Sequence, residues 1–465
     1  MDLFEAASRV LRSPAFKFGL ILLLIIVLIV PLFLVYGLIS ERESRAQGVR
    51  HEVGQLWGPQ QQILGPFLVV PYTVRIEAVQ GDKRVEQIQE RRAVFTPDAL
   101  EVTGRADAKT LRRSIFEVPV YAARLKLSGR FGIPRIGDVA ADVVAVRWRD
   151  ATFVLGLSGV SGLKETATLK IAGASEIAFA PSVGFPSTHL SGIHARLAVP
   201  ASTPATDSEQ PPQPFAFTVD LACNGSVSLA FAPVARETRV SLSSNWPHPS
   251  FSGAFLPDDR QVATAGFTAA WKVPHLARSV PDAWSLTDGG LERLQPYSFG
   301  VAMIDPVDFY SLVNRAAKYG IMFVALAFMA VFCLELSSGR HMHPVQYLFT
   351  GISLVFFYVL LLSLAEHLGF TQAYLAASIA TGAMLAVYVG AVMTSMVSGL
   401  VMLTVFAATY VILYLILQLE DYALLAGAVL GFLALAIVMF VTLRVDWSGG
   451  SSLENPRRAR AGASG

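Results

Sequence analysis

VQYLFTGISLVFFYVLLLSLA, residues 345–365, holds no Asp, Glu, Lys, Arg or His in 21 positions. A hydrocarbon core of about 30 Å is crossed by roughly 20 apolar residues in a helix, because a helix satisfies its own backbone polar groups where there is no water. The stretch therefore reads as a spanning helix. Similar runs flank it at 319–336, 373–393, 397–417 and 422–443, and another, Phe18–Ile39, stands alone near the N-terminus with 22 residues and no charge. These runs predict a membrane protein with a six-helix transmembrane region arranged one plus five. A large domain is inserted after the first helix. The expected segments are an N-terminal flank at 1–17, an anchor at 18–39, an inserted domain at 40–318, a five-helix bundle at 319–443 and a polar tail at 444–465.

Composition agrees with that division. Apolar residues make up 53% and charged residues 15%, with a mean hydropathy of +0.50, which departs from soluble proteins in both directions. The excess lies in the six runs, and the insertion is long enough to bury a core of its own. The net charge of +2 is spread out, with no basic stripe in sequence and no interleaved aromatics, so nucleic acid is excluded as a partner. The expected partner is the lipid bilayer.

Orientation follows from the flanks. Arg9, Arg12 and Lys17 precede the first run, as in an uncleaved signal anchor with its N-terminus inside. A cleaved signal would have a shorter apolar core ending at small residues, whereas this run leads into Ser40-Glu41-Arg42-Glu43. Pro31 is expected to kink or shift the helix, which neighbouring helices tolerate in lipid. Six crossings bring the C-terminus back inside. Arg340 in the inner loop 337–344 and Arg444, Arg457, Arg458 and Arg460 in the tail fit the positive-inside rule, and the outer loops 366–372 and 418–421 carry Glu366, Glu420 and Asp421 without Lys or Arg. The insertion is then outside.

The insertion reads as β, with a sandwich-like, all-β fold. Alternation is clearest at Phe215, Phe217, Val219 and Leu221, and the runs are short and broken by Gly, Pro, Asp or Asn. Helical periodicity is confined to 41–64, where Val49, Val53 and Leu56 share a face. Residues 201–214 form a Pro/Ser-rich loop, either within one sandwich, the preferred reading, or between two strand-rich parts. Cys223 in the insertion and Cys333 in a membrane run are not expected to form a disulfide.

Three clusters could carry chemistry. Trp246-Pro247-His248-Pro249-Ser250-Phe251 fixes the backbone on both sides of His248, as a ligand or base needs, but a rigid turn with aromatic anchors is the preferred reading, because no carboxylate or second histidine lies close in sequence to orient the ring. His341 and His343, with Glu335, form a weak zinc candidate; a polar turn at the membrane surface is the simpler account. The third cluster combines Glu366 and His367, Glu420 and Asp421, and Arg315 and Lys318, which topology places at one outer surface. Complementary charges there predict an ion-pair clamp between bundle and domain, with a metal or proton-coupled site as the alternative. Gly427 and Gly431, and the row Gly382, Ala386, Gly390, Thr394 and Ser398, read as packing faces. No Walker loop, dinucleotide fingerprint, nucleophile elbow or His-Glu-x-x-His occurs, so the chain is not read as an enzyme and no cofactor is expected.

Read together, a series of strings resembles the CreD family of bacterial inner-membrane, cell-envelope integrity proteins. They are Trp57-Gly58 with Gln61, Gly65-Pro66 and Val70-Pro71-Tyr72; Glu117-Val118-Pro119-Val120-Tyr121; the Trp246–Phe251 string; and Gly266-Phe267 with Trp271. Phe299-Gly300-Val301, Asp305-Pro306-Val307-Asp308 with Tyr310, and Arg315-Ala316-Ala317-Lys318-Tyr319 follow. The series ends with His343-Pro344, Gln346-Tyr347, Glu366-His367 and Leu419-Glu420-Asp421-Tyr422-Ala423-Leu424-Leu425. Ser158-Gly159-Val160-Ser161-Gly162 departs from a charged Ser-Asp-x-Arg-Gly pattern, so a role for that Asp and Arg does not carry over. The resemblance implies a periplasmic β domain, control by a two-component system and links to stress response, colicin tolerance and β-lactam response. It implies no reaction. The leading expectation is an envelope protein whose β domain binds a periplasmic protein or envelope component. The alternatives are an insertase-like or lipid-handling protein, suggested by the same architectural plan, and a metal-dependent enzyme at the outer membrane face.

Overall fold

The computed structural model describes residues 14–80, 83–172, 175–186, 190–197, 211–304, 309–338, 342–419 and 423–442. The chain forms two compact units, one from Met1–Arg45 with Val307–Gly465 and one from Ala46–Pro306. The first division falls inside helix α1, Pro14–Trp57, whose 44 residues run through Pro31. The periodicity expected over 41–64 therefore ends early. Gly58 and Pro59 follow Trp57, and by Gln61 the chain is already in a strand.

In the first unit, α1 is joined by α2 (Phe309–Lys318), α3 (Gly320–Ser338), α4 (Pro344–Leu368), α5 (Phe370–Val392), α6 (Met396–Gln418) and α7 (Ala423–Thr442). Among the described residues, four helices are long and apolar enough to cross a membrane. They are Phe16–Trp57, Pro344–Leu368, Phe370–Val392 and Met396–Gln418, and a fifth arises if α2 and α3, bent by 49° at their junction, count as one span. α7 adds 20 residues without a charge. α2 is amphipathic: it buries Tyr310, Val313, Ala316 and Ala317 while Lys318 is exposed.

Helix ends follow local chemistry. His343 caps α4 in a capping box with Gln346, and Pro344 takes the first helical position, where its missing N–H is no loss. Gly369, at φ 78°, turns the chain between α4 and α5. α5 and α6 meet through small residues, since a Cβ on Gly390 would lie 3.1 Å from Gly399 Cα. The other predicted small face behaves differently: among the described residues a Cβ on Gly427 would meet only Tyr319, and one on Gly431 would meet nothing within 4 Å. Several buried hydroxyls in this unit are satisfied locally. Tyr374 donates to Tyr410 O at 2.7 Å, and the Tyr410 and Thr381 hydroxyls lie 2.9 Å apart.

The second unit is β-rich. Its strands are β1 Gln61–Gln80, β2 Lys83–Phe95, β3 Ala99–Arg113, β4 Phe116–Phe131, β5 Val143–Val146, β6 Thr152–Leu157, β7 Thr168–Ile171, β8 Ile177–Ala178 and β9 Ala180–Pro181. They continue as β10 Gly192–Arg196, β11 Phe215–Ser226, β12 Ser228–Phe231, β13 Glu237–Ser244, β14 Pro249–Gly253, β15 Asp259–Ala263, β16 Gly266–Pro274, β17 Ala283–Ser285 and β18 Phe299–Met303. One sheet has ten strands along the path β14-β18-β12-β1-β6-β10-β9, with β2 and β5 also on β1 and β17 on β2. The other has eight, in the order β15-β16-β13-β3-β4-β11-β7-β8.

Alternation explains the eight-stranded sheet. β13 alternates Thr238, Val240, Leu242 and Ser244 inward with Arg239 and Ser241 outward, as a sheet with one solvated face requires. Both sheets contribute to a single core. Phe153 of β6 meets Phe217 of β11 with ring centroids 5.2 Å apart, and Trp271 of β16 lies 5.7 Å from Phe299 of β18. Of the loop 201–214, residues 201–210 lie outside the described residues. The chain changes sheets at Val227, which holds φ 63°, a left-handed conformation that a β-branched residue adopts only under strain.

No disulfide joins Cys223 and Cys333. Burial pushes the Cys223 thiol up to about 11, which has two consequences. N-ethylmaleimide at pH 8 is expected to leave Cys223 unlabelled in the folded protein and to label it after denaturation; fast labelling of the native protein would show that β11 opens readily. A thiol that titrates near 8.5 when unfolded also makes the unfolded state bind fewer protons between that pH and about 11, so stability falls as pH rises through that window and is unaffected below it.

Candidate functional site

Two carboxylates mark the ends of the helical unit. Glu366, in the last turn of α4, accepts from Arg42 Nε at 2.8 Å and Arg42 Nη2 at 2.5 Å, a two-pronged ion pair, and from the Tyr310 hydroxyl at 3.1 Å. Its side chain is 6% exposed and that of Arg42 31%. Near the other end, Glu335 of α3 pairs with Lys17 of α1 and accepts from Tyr347 Oη at 2.7 Å and Met342 N at 3.0 Å, with a side chain 2% exposed. A carboxylate taken out of water is costly unless charge and hydrogen bonds replace its hydration. Each glutamate has both.

The spacing is informative. At about 1.5 Å per residue, α4 rises roughly 28 Å from Tyr347 to Glu366, close to the hydrocarbon thickness of about 30 Å. The two networks therefore sit about where the apolar layer would end on each side, and both bind α1 to the helices that follow the insertion. Neither Arg42 nor Lys17 was among the sequence candidates for these pairs. The available signal was a cation just beyond each end of the first apolar run, matched by a glutamate at one end of α3 and one end of α4.

The remaining candidates are placed as follows. The predicted clamp set Glu366 against Arg315 and Lys318; the structure gives Glu366 to Arg42 and Tyr310 instead, all within the helical unit. Arg315 is half-buried on α2, and Lys318 and His367 are exposed. Glu420, Asp421 and His341 lie outside the described residues. His343 uses Nδ1 to cap Val345 N at 3.3 Å, and Glu335, its expected companion ligand, is held by Lys17 and Tyr347. Among the described residues no three His, Cys, Asp or Glu side chains converge as a metal site needs.

In the β unit, Trp246 Nε1 donates to His248 O and Ile304 O, each at 3.1 Å, and Phe251 packs on Phe267 and Trp271 with centroids 5.6 and 5.8 Å away. The string thus anchors β14 to the core, with the His248 ring exposed. The motif residues around Trp57 form a polar knot. Gln61, 2% exposed, donates to Gly159 O and Asn224 O at 2.9 Å each; Asn224 Nδ2 reaches back to Trp57 O at 3.4 Å, and Trp57 Nε1 donates to Tyr121 O at 3.2 Å. Lys109 lies over the Trp57 ring at 4.0 Å. Gly58 and Gly162 close the knot, since a Cβ on either would come within 2.4 or 2.3 Å of Asn224 O. The Ser158–Gly162 segment, where the charged pattern is missing, therefore contributes backbone here.

Beside the knot is an open cleft of about 490 Å³ lined by Gln47, Arg50, His51, Gln55, Gln60, Ser226 and Val227, among others. Its side chains are amides, a guanidinium, an imidazole and a hydroxyl, suited to hydrogen-bonding a polar or anionic ligand. The strained backbone of Val227 forms part of its wall.

A family model described as Inner membrane protein CreD matches residues 13–448. The chain is 31% identical over 443 residues to Inner membrane protein CreD of Escherichia coli (strain K12), covering 94% of each protein. An apolar first helix, a large β-rich unit and further apolar helices bound through paired charges fit that description. The chain belongs to the CreD family of inner membrane proteins.

Proposed function

We propose that this protein supports cell-envelope integrity under stress, without catalysing a reaction, and that its β unit, outside the membrane, takes up an envelope component or partner. The observation that carries this reading is the open polar cleft at Arg50, His51 and Gln60, walled in part by a strained residue. Strain of that kind costs of order 1–3 kcal/mol and persists where the surroundings over-determine it, commonly at ligand sites. The paired charges at both ends of the apolar run of α1 support the same view. They hold the helix that leads into the β unit firmly among the membrane helices.

The test uses cells lacking the protein, exposed to a β-lactam or a colicin. Wild type is expected to restore tolerance, and the double variant Arg50→Glu/His51→Glu, folded and in the membrane at normal abundance, is expected not to. Full rescue by that variant would remove the cleft from the function. Labelling of a cysteine placed at exposed Arg239 by a membrane-impermeant maleimide in intact, outer-membrane-permeabilised cells is expected; protection until the inner membrane is broken would place the β unit inside and overturn the reading.

A further inference from the structure

The outward face of the eight-stranded sheet carries a cation arrangement that folding does not require. β4 lies near its middle, and its outward positions include Arg124, Lys126 and Arg130, all exposed. Register puts Arg124 directly opposite Arg105 of β3. Like charges directly opposed across strands destabilise a sheet. The neighbouring cations have carboxylate partners: Arg105 reaches Asp107 at 2.6 Å, Arg239 reaches Glu237 at 2.7 Å, and Lys170 reaches Glu176 at 3.2 Å and Asp220 at 3.4 Å. Among the described residues no carboxylate pairs with Arg124, Lys126 or Arg130. Alternate residues on a strand are about 6.8 Å apart, so these three form a row roughly 20 Å long; beside it lie Glu101 and Thr103 on β3 and Thr218 and Asp220 on β11, Asp220 being opposite Lys126 but reached by Lys170, and Ser241 and Ser243 follow on β13.

We propose that this face docks an extended, carboxylate-bearing glycan. The row follows one strand that is paired on both sides, the guanidinium groups of Arg124 and Arg130 match carboxylates in two-pronged geometry, and the nearby hydroxyls can bond to sugar hydroxyls. A lipid surface fits less well, because membrane-surface elements insert apolar side chains and the outward positions named here are polar. The inference rests on the β unit lying in the envelope, as proposed above, and specifies the chemistry of the partner.

The experiment uses the full-length protein in phosphatidylcholine nanodiscs, with fluorescent polygalacturonate as probe, neutral dextran as control and phosphatidylglycerol vesicles as the competing class. Expected is polygalacturonate binding that weakens steeply with salt and falls about tenfold or more in Arg124→Gln/Lys126→Gln/Arg130→Gln. An equal change of charge elsewhere on the unit, Arg75→Gln/Arg91→Gln/Arg112→Gln, is expected to change affinity less than about twofold. Unchanged melting of both variants excludes misfolding as the cause. No binding by wild type, equal losses in both triple variants, or binding to the vesicles alone would each overturn the proposal. The maleimide result is independent of these outcomes: a β unit found inside the cell sinks the envelope reading, whereas a correctly placed unit that ignores the polymer sinks only this inference.

Discussion

Arg42→Met is expected to destabilise the folded protein by about 3 kcal/mol, and adding Glu366→Gln is expected to return most of that loss. The first change leaves a carboxylate with a side chain only 6% exposed without its paired cation, still accepting from the Tyr310 hydroxyl. Removing one partner of a buried pair costs about 3–5 kcal/mol, because the other charge stays buried and unmatched. Arg42 retains some exposure, which places the effect near the lower end. The second change removes the stranded charge but keeps an amide that can still accept from Tyr310. Unfolding of the two single variants and the double variant in one lipid environment gives the coupling directly. Additive losses would show that the pair contributes little as a pair and that Glu366 finds its stability elsewhere.

The second large effect is expected at Gln61. Gln61→Leu keeps the volume approximately but removes the amide that donates to both Asn224 O and Gly159 O, of which Gly159 O keeps the Gly162 N–H at 3.0 Å. A buried acceptor left without its partner costs about 1–3 kcal/mol, so a loss of roughly 1–3 kcal/mol follows. Gly58→Ala strikes the same knot from another side, by driving a Cβ to 2.4 Å from the Asn224 carbonyl oxygen. Because both act on one network, the double variant is expected to lose clearly less than the sum. Melting followed by near-ultraviolet circular dichroism reports this. A Gln61→Leu protein as stable as wild type would mean that water or backbone rearrangement replaces the lost bonds.

Both sites show how far residue order carries. Glu366 stood out in the sequence because a carboxylate beside an apolar run is unusual, yet its cation lies far away in the chain, on the other side of the β unit. Nearer cations, Arg315 and Lys318, were the natural expectation. α2 looked like the end of the inserted domain because it is polar enough, whereas in the fold its apolar face, with Tyr310, Val313 and Ala316, is buried in the helical unit. The row of Arg124, Lys126 and Arg130 was invisible for a related reason. Apolar residues alternate with the cations along β4, so the charge concentrates only when a strand separates its two faces.

What the sequence determined by itself was the partition of the chain. Hydropathy and alternation are local properties, set by about 20 residues for a membrane helix and by about 5–6 for a strand, and they identified the membrane runs, the β insertion and the family. What only the tertiary structure decided was pairing: Arg42 with Glu366, Lys17 with Glu335, Gln61 with Asn224, Arg105 opposite Arg124. The reason is physical. A buried charge or amide is stable only where partners meet it in space, and that meeting is set by helix packing and strand register, which no window along the chain contains.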